Sequence, residues 1–297
     1  MKNVLKGIGI CVLCFILFSM MQLIVSNIIS FPVGVKIGRE LRQEAIDSGK
    51  TITAMDPETL AEATRRQSAI MAPYALPIAE LGGALAVGVL ALVALIRKKK
   101  VSEALGFKKV SPKALGFAAL VGVLYNAVVM LYSGIINSLV NTGYQEATSA
   151  LTGGSLIVTA ICVCICAPII EEIIFRGTAF RASGKLMPKV VAAAVASLFF
   201  ALAHGTNLVW LSYTFVMGLV ACYLTNKYES ILPSILFHVV FNLLGSVILP
   251  YCPAFIVIPY LAVGTISAVI FAIVMIVKAV KSKNDQSERR PEIVTAA

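Results

Sequence analysis

Eight stretches of this 297-residue sequence stay apolar for about 20 residues, the length a helix needs to cross a hydrocarbon core of ~30 Å. They lie near 4–29, 70–96, 113–139, 155–180, 188–206, 208–226, 230–249 and 254–278. Within hydrocarbon every backbone polar group has to be bonded internally, and for runs of this length that means helix. Composition agrees, with 59% hydrophobic and 13% charged residues against roughly 25% charged in a soluble domain. The expected fold is all-α, a polytopic membrane protein with about eight transmembrane helices. The first run, behind Lys2 and Lys6, imitates a signal peptide. It is too long for a cleaved apolar core and no small-x-small site follows, so it reads as a retained span.

The charges between the runs give the topology. Arg97 to Lys100 with Lys108, Lys109 and Lys113 follow the second run; Arg181, Lys185 and Lys189 follow the fourth; Lys227 follows the sixth; Lys281, Lys283, Arg289 and Arg290 close the chain. The connections near 140–154, 207 and 250–253 hold no Lys or Arg. This alternation places both termini in the cytoplasm. It also accounts for the net charge of +10 without nucleic acid, which is excluded as a partner. Three regions are expected: 1–112, two spans joined by an outer loop at 30–69; 113–280, the membrane core; and 281–297, a polar, disordered cytoplasmic tail. The 30–69 loop carries as many acidic as basic residues, and Asp56-Pro57-Glu58 within it predicts a helix start; an amphipathic helix or two on the outer surface is its expected content.

Against this apolar background the polar residues stand out, because a central charge in a bilayer costs about 2.5–3.5 kcal/mol even on favourable scales. Glu171, Glu172 and Arg176 lie in the fourth run behind Pro168. At helical spacing Glu172 and Arg176 pair, while Glu171 points ~100° away, free to face something else. Pro168 frees a backbone carbonyl and kinks the helix. Phe200 and His204 share one face of the fifth run, His238 and Asn242 one face of the seventh, and the chain has no other histidine. Singly, each reads as a packed polar residue or an interfacial ion pair. Together, on three runs, they supply the parts for water attack on a peptide carbonyl: a carboxylate to take a proton, an imidazole to hold the water, and an imidazole and an amide to donate to the oxyanion. Glu80 reads as a structural or gating acid, Gly82-Gly83 as a close helix contact, and Asn126 and Asn137 as makers of interhelical hydrogen bonds. The seven cysteines sit almost wholly in apolar segments and read as packing.

The ordered set Glu171-Glu172-x-x-x-Arg176, Phe200-x-x-x-His204 and His238-x-x-x-Asn242 resembles the CAAX-protease and bacteriocin-processing (CPBP, or Abi) intramembrane proteases, over roughly residues 150–250. The resemblance implies eight helices around a polar cavity open to the cytoplasm, and peptide-bond hydrolysis at the membrane. By position, Glu171 is the implied general base and His204 helps hold the water. His238 and Asn242 form the implied oxyanion hole, and Glu172 and Arg176 orient the site. Zinc on Glu171, His204 and His238 is one mechanism the family allows; a metal-free glutamate and histidine mechanism is the other, and the one favoured here. The expected partners are membrane lipid and a peptide or protein substrate, and the resemblance, which is to the bacterial branch, implies a bacterial cell membrane as the location. The competing functions are a non-enzymatic bacteriocin-immunity or regulatory protein and a proton-coupled transporter. One geometric difficulty is visible in advance. Counted from the cytoplasmic ends at ~1.5 Å per residue, Glu171 and His238 lie about 10–15 Å deep but His204 about 22 Å.

Overall fold

A computed structural model describes residues 2–49, 56–140 and 155–288. Among these the regular structure is entirely helical: α1 (Lys2–Asp47), α2 (Pro57–Met71), α3 (Ala75–Ile96), α4 (Val101–Ala104), α5 (Pro112–Leu139), α6 (Leu156–Ser183), α7 (Lys189–Ala203), α8 (Leu208–Tyr228), α9 (Leu232–Tyr251) and α10 (Ala254–Glu288). Helices α2 and α3 run together through a tight turn at Ala72–Tyr74. Among the described residues, seven helices are long and apolar enough to cross a membrane, and α7 is a shorter apolar one. Large aliphatic side chains such as Leu13, Ile157 and Ile266 lie on the outside of the bundle, more than half exposed, where lipid would cover them. The chain is an integral membrane protein.

Two boundaries differ from the sequence expectation. The first span does not stop near residue 30: α1 has 46 residues, about 69 Å at ~1.5 Å per residue, more than twice a hydrocarbon core. Apolarity ends near Pro32, but helix formation does not. Residues 35–47 contain good helix formers, the Lys36–Glu40 pair (3.8 Å) and a buried stripe of Ile37, Leu41 and Ala45 at four-residue spacing. Helix α2 packs back along this extension. Arg66 reaches Glu44 (2.7 Å), and the Gln67 amide donates to the Ser30 carbonyl (3.0 Å). The described residues of 30–69 are therefore largely helical, the end of α1 and most of α2 packed side by side. Helix α2 starts as expected, with the Asp56 carboxylate accepting the Thr59 N–H at 2.9 Å. At the other end, α10 continues to Glu288, so the first part of the expected disordered tail is helix. No Gly or Pro interrupts 278–288, and a helix already propagating carries on. The rest of that tail, 289–297, and the connection at 141–154 lie outside the described residues.

The packing brings α6 to the middle. Gly82 and Gly83 of α3 permit close contact on two sides: a Cβ on Gly82 would lie 2.5 Å from Gln22 Cα of α1, and one on Gly83 2.7 Å from Ile170 Cγ2 of α6. Asn126 ties α5 to its neighbours, donating to the Phe241 carbonyl (3.0 Å) and accepting from the Tyr260 hydroxyl (2.9 Å). The basic connections meet on one face. Lys108 pairs with Glu229 (2.6 Å), Arg181 donates to the Glu103 carbonyl (3.1 Å) and Lys189 to the Asn226 side chain (2.8 Å). The amino end of α1 joins them, since a Cβ on Gly7 would lie 3.0 Å from Met187 Sδ. Loops grouped by charge are thus grouped in space.

Candidate active site

Helix α6 is not a regular α-helix. Its backbone widens to i→i+5 hydrogen bonding over Cys162–Cys166 and again over Glu172–Phe180, a geometry that is rare and concentrated at functional sites. The first widening has a covalent reason. The Ala167 N–H bonds to the Cys162 carbonyl. In that register the donor due to the Val163 carbonyl belongs to residue 168, which is proline and has none. Asn242 of α9 supplies it, its Nδ2 donating to Val163 O at 2.7 Å. The expected freed carbonyl therefore exists, and its partner is a residue of the expected site. The second widening carries Glu172 and Arg176, with every residue from Glu172 to Gly177 buried.

Five of the six sequence-selected residues, Glu171, Glu172, Arg176, His204 and His238, come together; Asn242, four residues beyond His238 on α9, bonds to the α6 backbone instead. Glu172 and Arg176 form an ion pair at 3.0 Å, with side-chain exposures of 0% and 1%. The same Oε1 of Glu172 lies 3.2 Å from His238 Nδ1, so the ring donates to the carboxylate through Nδ1. The Arg176 guanidinium lies over the Phe200 ring, 4.0 Å from its centroid. Phe200 meets His204 and His238 edge-on, at centroid separations of 4.6 and 5.9 Å. This phenylalanine, a spacing marker in the sequence, is the platform on which three polar side chains rest.

Glu171 faces the other way. Its Oε2 is buried and has no hydrogen-bond partner, and it lies 3.8 Å from His204 Nε2 and 3.9 Å from His238 Nε2. His204 Nδ1 is 2.8 Å from the Phe200 carbonyl, an acceptor only, so the proton is on Nδ1 and Nε2 presents a lone pair. Helix α7 ends there because Gly205 takes φ +104°, a turn open to glycine. The 22 Å difficulty is resolved without a later helix start: α7 begins at Lys189, and its course carries His204 to Glu171. Entry to the cluster is one-sided. The side chains of His204 and Glu171 are 29% and 13% exposed, against 3% for His238. Glu80 of α3 lies within electrostatic reach of Glu171, an adjacency its sequence position did not reveal.

The donor chemistry of Glu171, His204 and His238 is of the kind zinc takes, with each imidazole Nδ1 held by a carbonyl or carboxylate. The arrangement is not. An O···N edge of a tetrahedral zinc site with bonds near 2.1 Å is about 3.4 Å, shorter than the 3.8 and 3.9 Å here. Among the described residues no group of three His, Cys, Asp or Glu is disposed to hold a metal. The spacing suits water: groups 3.8 Å apart can both hydrogen-bond one oxygen at about 2.8 Å.

Residues 153–244 match the family model described as Type II CAAX prenyl endopeptidase Rce1-like. The matched stretch holds all six site residues and bears out the resemblance to the CPBP proteases. It supports intramembrane endopeptidase activity in general terms. Comparison with curated proteins and with solved structures gave no match.

Proposed function

We propose that this chain, whose residues 153–244 match a CAAX-type endopeptidase domain, cleaves peptide bonds of membrane-associated peptides by a metal-free mechanism. The observation that carries the reading is the buried, unbonded Glu171 Oε2 facing both histidines at water-bridging distance. A water held by Glu171 Oε2 and His204 Nε2 attacks the scissile carbonyl carbon. Glu171 takes the proton released and returns it to the departing amine, so the carboxylate is regenerated. General base catalysis of this kind contributes roughly 10²–10⁴ in rate.

The part given to His238 rests on its position: Nδ1 is held by Glu172 at 3.2 Å, and Nε2 faces Glu171 Oε2 at 3.9 Å. In its doubly protonated form the ring donates Nδ1–H to Glu172 and Nε2–H to the developing oxyanion. Asn242 uses one amide hydrogen on Val163 O and offers the second to the same oxyanion, an interaction worth about 10²–10³ in kcat per donor.

The matched description names a CAAX prenyl endopeptidase, so a prenylated peptide with a C-terminal CAAX sequence is the first substrate to test, followed by peptide pheromone and bacteriocin precursors. The assay uses purified full-length protein in lipid nanodiscs. Cleavage is expected to persist in a strong chelator and to vanish in Glu171→Ala, with expression and folding intact. Loss of activity in chelator that returns with zinc overturns the metal-free mechanism. Undiminished activity in Glu171→Ala overturns the site.

A further inference from the structure

A second polar concavity lies at the basic face, away from the cluster described above. A cavity of about 620 Å³ opens between the end of α3 and the carboxyl end of α6. Arg97, Lys98, Lys99, Lys100, Arg181 and Lys185 line it, with Glu103 as the single acid. Glu103 is already held by Lys100 at 3.4 Å. The inner wall is apolar, made by Leu90, Val93 and Ala94 of α3 and by Leu105. A basic rim above an apolar wall at the end of transmembrane helices is the complement of an acidic amphiphile.

The backbone gives an independent sign. Helix α3 ends in a paired hydrogen-bond motif, the Lys98 N–H bonding to Leu95 O (2.8 Å) and the Lys99 N–H to Ala94 O (2.9 Å). The first residue past such an end is left-handed and usually glycine. Here it is Lys98, at φ +52°. At a cost in strain that glycine would avoid, this turn places the cationic Lys98 side chain in the cavity lining.

The opposite wall includes Gly177 and Thr178 of α6, directly after Arg176. Gly177 abuts the Leu105 carbonyl with no space for a Cβ, and a Cβ on the left-handed Gly106 would lie 2.9 Å from Arg181 Nη1. The cavity therefore borders the wide-turned segment that holds Glu172 and Arg176.

We propose that this cavity binds a phosphate-bearing anion, with the apolar wall taking the glycerol and first acyl carbons when the anion is the headgroup of an acidic phospholipid. The test is the thermal unfolding of the purified full-length protein in neutral detergent, which does not depend on the protease reading. Short-chain phosphatidylglycerol is expected to raise the midpoint saturably and matched phosphatidylcholine to leave it unchanged. Inorganic phosphate distinguishes the two sources. A response only at far higher concentration assigns the site to lipid, whereas an equal response assigns it to free phosphate and overturns the lipid part. Lys98→Gly is expected to raise the midpoint of the ligand-free protein while weakening apparent phosphatidylglycerol affinity about fivefold, as for loss of one basic residue near an anionic lipid. A purely structural Lys98 would show the first effect without the second. Arg97→Gln with Lys99→Gln is expected to weaken affinity further, and Lys36→Gln with Arg65→Gln, in the distant 30–69 region, to leave it unchanged. Equal weakening in that control, or wild-type affinity in the cavity variants, overturns the proposal.

Discussion

Glu171 and Glu172 are neighbours in sequence and opposites in environment. Around Glu172 the charges are matched and the geometry locked: Arg176 at 3.0 Å, His238 Nδ1 at 3.2 Å, and Phe200 beneath the guanidinium. Around Glu171 the nearest nitrogens stand 3.8 and 3.9 Å away; each acid keeps one buried oxygen without a hydrogen bond, so the contrast lies in how closely the partners stand. One carboxylate is stabilised by its surroundings; the other is held ready for something that comes and goes. The contrast shows how a membrane protein divides two costly acids, one to fix the frame and one to act.

The division is sharpest under Glu→Gln substitution at the two positions. Glu171→Gln is expected to reduce cleavage by about 10²–10⁴ while leaving the thermal midpoint equal or higher, because it removes a charge without a bonded partner. Glu172→Gln is expected to lower stability by roughly 3–5 kcal/mol, the usual penalty for leaving a buried ion without its partner. Paired activity and unfolding measurements on both variants check this. Equal destabilisation by the two would erase the distinction.

A second pair of variants probes the locked side alone. With Arg176→Met added to Glu172→Gln, neither charge is left uncompensated, so much of the stability lost in the single variant is expected to return. Activity is not expected to return, since a neutral amide oxygen at position 172 holds the His238 Nδ1–H more weakly than the carboxylate does. Unfolding midpoint and kcat then separate, and joint recovery of both would show that Glu172 serves only as a counter-ion.

Much of this site was legible before the fold. The four-residue spacings of Glu172 with Arg176 and Phe200 with His204 predicted contacts that the structure contains. The first survives the change of helical register in α6 because a wide turn still leaves i and i+4 close enough for long side chains. The register itself was not legible. Apolar periodicity records which residues meet lipid or core, not which carbonyl each N–H reaches, and Pro168 was the only trace. What was missed, for a related reason, is that the first span runs on unbroken into the 30–69 region: hydropathy measures the membrane, whereas Ile37, Leu41 and Ala45 continue a helix beyond it. Glu80 was seen, but its approach to Glu171 depends on how closely Gly82 and Gly83 let α3 pack. That distance is not in the chain's local pattern.

The smallest expected effect bears on how the acting side is joined to the frame. Asn242 is the donor found on the Val163 carbonyl, and the residue whose N–H this register would use is Pro168. Asn242→Ala should therefore cost about 1–3 kcal/mol, the penalty for a buried acceptor left unmet, together with whatever catalysis its second amide hydrogen supports. Pro168→Ala restores a backbone N–H aimed at the same carbonyl. In that background Asn242→Ala should cost less by about 1 kcal/mol, a coupling that a double-mutant cycle on unfolding free energy resolves. The catalytic loss from Asn242→Ala should be the same in both backgrounds, because the proline does not touch the reacting atoms. If the stability cost is also unchanged by Pro168→Ala, the proline is not what left Val163 open, and the widening of α6 beside Glu171 needs another cause.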